Sequence, residues 1–186
     1  DLHVLDKKKP IILLFHQAGA NAKGEYSTII PKLVTEGFNV FAVDQRTGGQ
    51  TFGKHNRTVA EIPANRYGYC DAYPDLEAAL KYVDDTGFTG KKIIWGSSYS
   101  AALVIKLGFE NPDKVNGVLA FSPASGAPMK GCGPNEYFEK INIPLLVLRP
   151  DKEMEYESVK KQFKLAQDNN HTTYVSENGV HGSSML

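Results

Sequence analysis

"KKIIWGSSYSAALVIKLG" occupies Lys91–Gly108. Its run Ile93-Ile94-Trp95 reads as a buried strand that stops at Gly96. Two serines follow, then an apolar stretch at helical spacing. A hydroxyl where a strand turns into a helix has two readings. One is an ordinary helix cap. The other is a nucleophile held on a tight turn, and the flanking sequence decides between them.

Apolar runs alternate with amphipathic ones on both sides of this stretch. "KPIILLFH" (Lys9–His16) is continuously apolar, as a strand covered on both faces must be. "FNVFAV" (38–43), "VNGVLAFS" (115–122) and "IPLLVLR" (143–149) read as further strands. "HTTYVSE" reads as the last, and "DLHVL" at the start as an added edge strand. Between them lie helical patterns: "EYSTIIPKLVTEG", "PDLEAALKYVDDTG", "YSAALVIKLGFEN" and the charged "YESVKKQFKLAQD". "QAGANAKGEY" reads as a Gly/Asn-rich loop, and residues 44 to about 73 as a long polar loop of the kind that carries function. Strands alternating with helices imply an α/β fold, a mostly parallel sheet with helices on both faces. In such sheets ligands sit at the carboxyl ends of the strands.

The totals set limits. The chain has 186 residues, enough for one domain with a sizeable core. Lys+Arg and Asp+Glu are both 21, so the net charge is zero and no basic face points to nucleic acid. No apolar run reaches the length of a membrane span. The chain opens on Asp1 rather than Met, which leaves room for a processed leader and leaves the compartment open between cytoplasm and export. Two cysteines, Cys70 and Cys132, are too few for a four-ligand zinc site. They are either two free thiols or one disulfide across the loop face of the sheet.

A serine nucleophile on a sharp strand-to-helix turn needs small residues two before and two after it. Ser98 has Gly96 and Ser100 there. Ser97 has Trp95 and Tyr99, both too large; Ser100 has small neighbours but falls inside the helix. Ser98 is therefore the candidate, with the helix N-terminus beneath it. Of five histidines, His3, His55 and His171 read as solvated. His16 and His181 lie in loops that follow strands. His181, flanked by Gly in "ENGVHGSSML", is the candidate base, and a carboxylate to orient it comes from Asp151, Glu153 or Glu155.

The order Ser98, acid, His181 is that of the α/β-hydrolases, and here the sequence resembles that family, in the compact group related to dienelactone hydrolase and small serine esterases. "LLFHQAGAN" resembles the strand that enters the oxyanion loop, "VFAVDQRTGGQ" the strand with an Asp-x-Arg-Gly segment, and "WGSSYSAAL" the nucleophile elbow. "NPDKVNGVLAFSP" resembles the next βα unit, "IPLLVLRPDKE" the acid-bearing strand and "GVHGSSML" the histidine loop. The resemblance implies one minimal α/β-hydrolase domain over residues 1–186, without a cap domain. It puts the acid on Glu153, with Asp151 as the alternative that otherwise caps a turn. It implies an oxyanion hole from the backbone N–H groups of Ala18 and Tyr99, with Gln17 as a substitute or a side-chain addition. His16 is then a structural hydrogen-bonding residue under that loop. Departures are Gln17 after His16, Ser100 in place of the second elbow glycine, and a serine where dienelactone hydrolase has cysteine.

Tyr67, Tyr69 and Tyr73 either pack a loop on the sheet or wall an acyl or alcohol site, as do Met129, Tyr137 and Phe138. The segment from Ser122 to Ile141 leaves little room for a cap, so an open site for a small-molecule ester is expected. The function expected is a serine carboxylesterase that forms an acyl-enzyme and requires no metal or organic cofactor. Alternatives are a thioesterase or peptidase with the same triad, or a non-catalytic binding module of this fold. Oligomeric state is not written in the sequence.

Overall fold

The computed structural model describes residues 1–62 and 67–186. Residues 63–66, part of the long polar segment, lie outside the described residues. Seven strands form one sheet: β1 (Leu2–His3), β2 (Ile11–Phe15), β3 (Asn39–Val43), β4 (Lys92–Ser97), β5 (Gly117–Phe121), β6 (Leu145–Pro150) and β7 (Thr172–Ser176). Their order is β1-β3-β2-β4-β5-β6-β7. All neighbours are parallel except β1, which pairs antiparallel with β3 at the edge. The sheet is the mostly parallel α/β-hydrolase type expected from the alternation of runs.

Helices α1 (Ala22–Glu25), α2 (Ile29–Thr35), α3 (Arg57–Glu61), α4 (Tyr73–Asp85), α5 (Tyr99–Glu110) and α6 (Glu157–Asp168) connect the strands. β2 is buried at all five positions. Ile11, Leu13 and Phe15 join the core under α4, α5 and α6, while Ile12 and Leu14 join the core under α1 and α2. This is why its sequence is continuous rather than alternating. α5 is apolar nearly all round because it lies against β4, β5 and α4. α6 buries Val159, Gln162, Phe163 and Ala166, packs Leu165 partly against the core, and turns its charged residues to solvent. Among the described residues no helix is long and apolar enough to cross a membrane.

Two details differ from the sequence reading. The Gly/Asn-rich loop contains α1, because Asn21 caps it by accepting from Gly24 N at 2.7 Å. The long polar segment contains α3, capped in the same way by Asn56 on Val59 N at 2.9 Å. The cysteines are joined: Cys70–Cys132 is a disulfide with Cα atoms 5.6 Å apart. Tyr69 stacks on Tyr99 with ring centroids 5.1 Å apart, Tyr67 lies under Arg46, and Tyr73 hydrogen-bonds Glu110. Met129, Tyr137 and Phe138 are buried in the core. These contacts account for the aromatic cluster as loop packing.

Candidate functional site

The sheet gathers five loops at one edge. The loop after β2 carries Ala18, the turn after β4 carries Ser98, and the turn after β5 carries Ser122. Glu153 follows β6 and His181 follows β7. β4 is the central strand of the sheet, so Ser98 has the Ala18 loop on one side and the Ser122, Glu153 and His181 loops on the other.

Ser98 has φ 62° and ψ −119°, a conformation L-residues rarely adopt. The turn that imposes it is tight. A Cβ on Gly96 would collide with the Ser100 carbonyl and the Ala101 amide, so only glycine fits there. Ser98 N donates to the Phe121 carbonyl at 2.9 Å, and Ala124 N donates to the Ser98 carbonyl at 3.0 Å. The chain leaving β5 thus clamps the elbow from the side. Ser98 remains partly exposed, whereas Ser97 and Ser100 are fully buried.

Ser100 accounts for the missing second glycine. Its hydroxyl oxygen accepts from Ser97 N at 2.9 Å, and its proton is shared between the carbonyls of Phe15 at 2.6 Å and Ser97 at 2.8 Å. A small side chain fits, and this one ties the elbow to β2. Its hydroxyl is fully engaged and turned away from solvent.

His181 Nδ1 lies 2.5 Å from Glu153 Oε1. The other carboxylate oxygen, Oε2, accepts from Arg149 Nη1 at 2.8 Å. Burial pushes the Glu153 carboxyl up, but hydrogen bonds from His181 and Arg149 and the Arg149 charge outweigh it and hold the carboxyl below its ordinary value. Arg149 is 2% exposed and also donates to the Pro123 carbonyl and the Gln162 side-chain oxygen. Asp151 does something else: it accepts from Lys152 N at 2.9 Å and Asn178 N at 3.3 Å, shaping the turns on either side. The hydrogen bonds of the described residues include none between Ser98 and His181. Such bonds are commonly long in ligand-free sites and close around substrate.

The histidine loop is stitched down immediately after His181. Gly182 N donates to Ser122 Oγ at 3.0 Å, Ser183 N to Ser97 Oγ at 2.9 Å, and Trp95 Nε1 to Ser183 Oγ at 2.8 Å. Gly182 (φ 70°) lies so near Ser97 Oγ that a Cβ would collide with it. Ser122, at φ 51°, turns its hydroxyl to this loop from the end of β5.

On the other side, Gln17 N donates to Glu25 Oε2 at 2.7 Å, Gly19 N to the Thr47 carbonyl and Ala20 N to the Gln17 carbonyl. Among the described residues Ala18 N has no partner of this kind, and neither does Tyr99 N at the first position of α5. Gln17 N is thereby removed as a substitute donor. His16 is fully buried beneath this loop. Gln45 N donates to its Nε2 at 2.9 Å, so that nitrogen is unprotonated and Nδ1–H donates to the Gln17 carbonyl at 2.8 Å. Burial holds the ring's pKa low, in keeping with this neutral form. His3 and His55 are exposed, but His171 donates to the Phe138 carbonyl at 2.6 Å and is half-buried rather than solvated.

Sequence reasoning missed Arg149, Ser122, Ser183 and Glu25. A buried-strand arginine leaves a signal only as a charge in apolar context; the glutamate, in the polar stretch "NAKGEYST", and the serines leave none. Among the described residues no group of three or more His, Cys, Asp or Glu side chains is placed to hold a metal ion.

The comparisons bear on the fold and the family. The fold is similar to Est1E from Butyrivibrio proteoclasticus, solved with ferulic acid bound (TM-score 0.72, 12% identity, 95% of this chain and 82% of that one). It is similar to dienelactone hydrolase from Anabaena variabilis (TM-score 0.67, 13% identity, 93% and 76%) and to an esterase from Pyrococcus furiosus (TM-score 0.65, 19% identity, 91% and 72%). No curated protein matches the sequence. A family model described as "Serine aminopeptidase, S33" matches residues 6–178, and the chain therefore belongs to that family of α/β-hydrolases.

Proposed function

We propose that the protein is a serine hydrolase that cleaves carboxylic esters, with Ser98 as nucleophile, His181 as base and Glu153 as the acid that orients it. The observation that carries this reading is the pairing of a strained, partly exposed Ser98 with a His181–Glu153 hydrogen bond of 2.5 Å on the same sheet edge. Glu153 holds Nδ1 protonated, which leaves Nε2 to take the Ser98 proton. Ser98 attacks the ester carbonyl, and the N–H groups of Ala18 and Tyr99 receive the oxyanion. His181 then protonates the leaving alcohol, and water attacking the acyl-enzyme regenerates Ser98. The described residues, including the short 3-10 turns Ala127–Met129 and Pro134–Tyr137 between β5 and β6, fit one domain with an open site.

Labelling with a fluorophosphonate tests the reading. The adduct is expected on Ser98 and absent in Ser98→Ala; an adduct on Ser100 overturns the register, and no adduct overturns the hydrolase. The family's description favours a second reading, cleavage of aminoacyl amides. Turnover of p-nitrophenyl acetate and butyrate without turnover of aminoacyl p-nitroanilides supports the esterase, and the opposite pattern supports the peptidase.

A further inference from the structure

One buried carboxylate near the site has no part in the triad. Glu25, the last residue of α1, is 7% exposed. Its Oε2 accepts Gln17 N at 2.7 Å, and the Gln17 side-chain amide stands 3.5 Å from Oε1. Burial pushes the Glu25 carboxyl above its ordinary value, and hydrogen bonding from Gln17 offsets part of that. Glu25 is thus joined to the loop after β2 at Gln17.

We infer that Glu25 is a positioning residue for the oxyanion site: by capturing Gln17 N–H, it presents the next amide, Ala18 N–H, as the free donor. The inference rests on the hydrolase reading and deepens it. Gln17 N–H is bound by Glu25 and Gly19 N–H by the Thr47 carbonyl, so the loop is fixed on both sides of Ala18, whose own N–H is bonded to neither. A glutamine at position 25 offers one accepting oxygen and no charge, and its NH2 group turns a donor toward Gln17, so the charge-assisted bond to Gln17 N–H is lost. A residue that merely filled space would lower stability and the yield of active protein. A residue that aims an oxyanion donor lowers the rate of chemistry at each active site, because the donor acts on charge that develops in the transition state.

The test compares wild type with Glu25→Gln. Active sites are counted by fluorophosphonate titration, and kcat per titrated site and KM are measured on p-nitrophenyl butyrate. Inhibition by phenylboronic acid, whose tetrahedral serine adduct places an oxygen in the oxyanion site, is measured alongside. The expected result is a loss in kcat per site of about 10- to 100-fold, on the order of one misplaced oxyanion donor. KM should stay within about threefold, and phenylboronic acid should weaken in parallel with kcat/KM. Glu25→Asp withdraws the carboxyl while keeping its charge; it is expected to show the same pattern and serves if the glutamine variant does not fold. An unchanged kcat per site in a folded variant, with only the number of titratable sites reduced, overturns the inference. Wild type that neither labels nor turns over ester overturns the hydrolase reading first, and this inference with it.

Discussion

Ser98 is held where an L-residue costs about 1–3 kcal/mol of backbone strain, and its neighbours must hold it there. Gly96 is one of those neighbours. Gly96→Ala forces a methyl into the backbone of Ser100 and Ala101, which cannot yield without opening the elbow. We expect a loss of at least about 2 kcal/mol in urea denaturation and of nearly all esterase turnover. The two carboxylates after β6 separate in the same way. Glu153→Gln removes the acceptor that orients His181, and kcat is expected to fall by about 10³–10⁴-fold, whereas Asp151→Asn should stay within about threefold. Glu153→Gln also strips a buried guanidinium of its ion pair. The cost is about 3 kcal/mol, at the low end for a broken buried pair, because Arg149 keeps Pro123 and Gln162. The sign with pH follows from the depressed pKa of Glu153. Its contribution is complete above the unfolded carboxylate value, about 4.3, and is lost as pH falls through the lower folded value. The stability gap between wild type and Glu153→Gln should therefore be largest near neutrality and shrink below about pH 4. A gap that widens with acid would contradict the ion pair.

At the scale of the element, the histidine loop is a short turn, Gly182–Met185, held from outside rather than by its own regular structure. Its anchors come from the ends of β4 and β5: Trp95, Ser97 and Ser122. Ser122→Gly relieves a positive φ yet deletes the acceptor of Gly182 N, so backbone comfort and loop position pull apart. We expect thermal stability to change by less than about 1 kcal/mol while kcat falls about tenfold, since small displacements of a base are costly. A variant with full activity would show that Trp95 and Ser97 suffice. These anchors explain what the sequence disclosed and what it concealed. β2, β4 and α5 were readable because each carries its own pattern: a continuous apolar run, a run ended by Gly96, an apolar helix ended by Asn111-Pro112. The Ser98, Glu153 and His181 candidates were readable because each follows a strand, and parallel strands bring such loops to one edge. The roles of Arg149, Ser122 and Glu25 were not, because they depend on which loops touch once the sheet is built. α1 and α3 were missed because four- and five-residue helices show no periodicity and depend on single Asn caps.

Over the whole molecule, the Cys70–Cys132 disulfide crosslinks two loop segments. It joins the segment before α4 to the segment after β5, 62 residues apart in sequence. Cys70 Sγ also lies 3.6 Å from the Lys130 carbonyl, and Tyr69 beside it stacks on Tyr99, the residue that follows Ser98. The crosslink therefore fixes one flank of the site through an aromatic contact rather than through the triad. Loop-closure entropy for a crosslink of this span amounts to about 4 kcal/mol in the chain-entropy model. The double variant Cys70→Ser/Cys132→Ser is expected to lose up to about that much stability, and dithiothreitol should do the same to wild type in a chemical-denaturation curve. Activity at moderate temperature should fall much less, because Ser98, His181 and Glu153 are held by bonds that involve neither cysteine. Reduction that abolishes turnover while the protein remains folded would instead place the Tyr69–Tyr99 stack in direct control of the elbow. A crosslink of this kind persists where thiols are not kept reduced. The check is a thiol count on protein isolated from its native source under alkylating conditions: none free is the expected outcome, and two free would remove the crosslink from the working molecule.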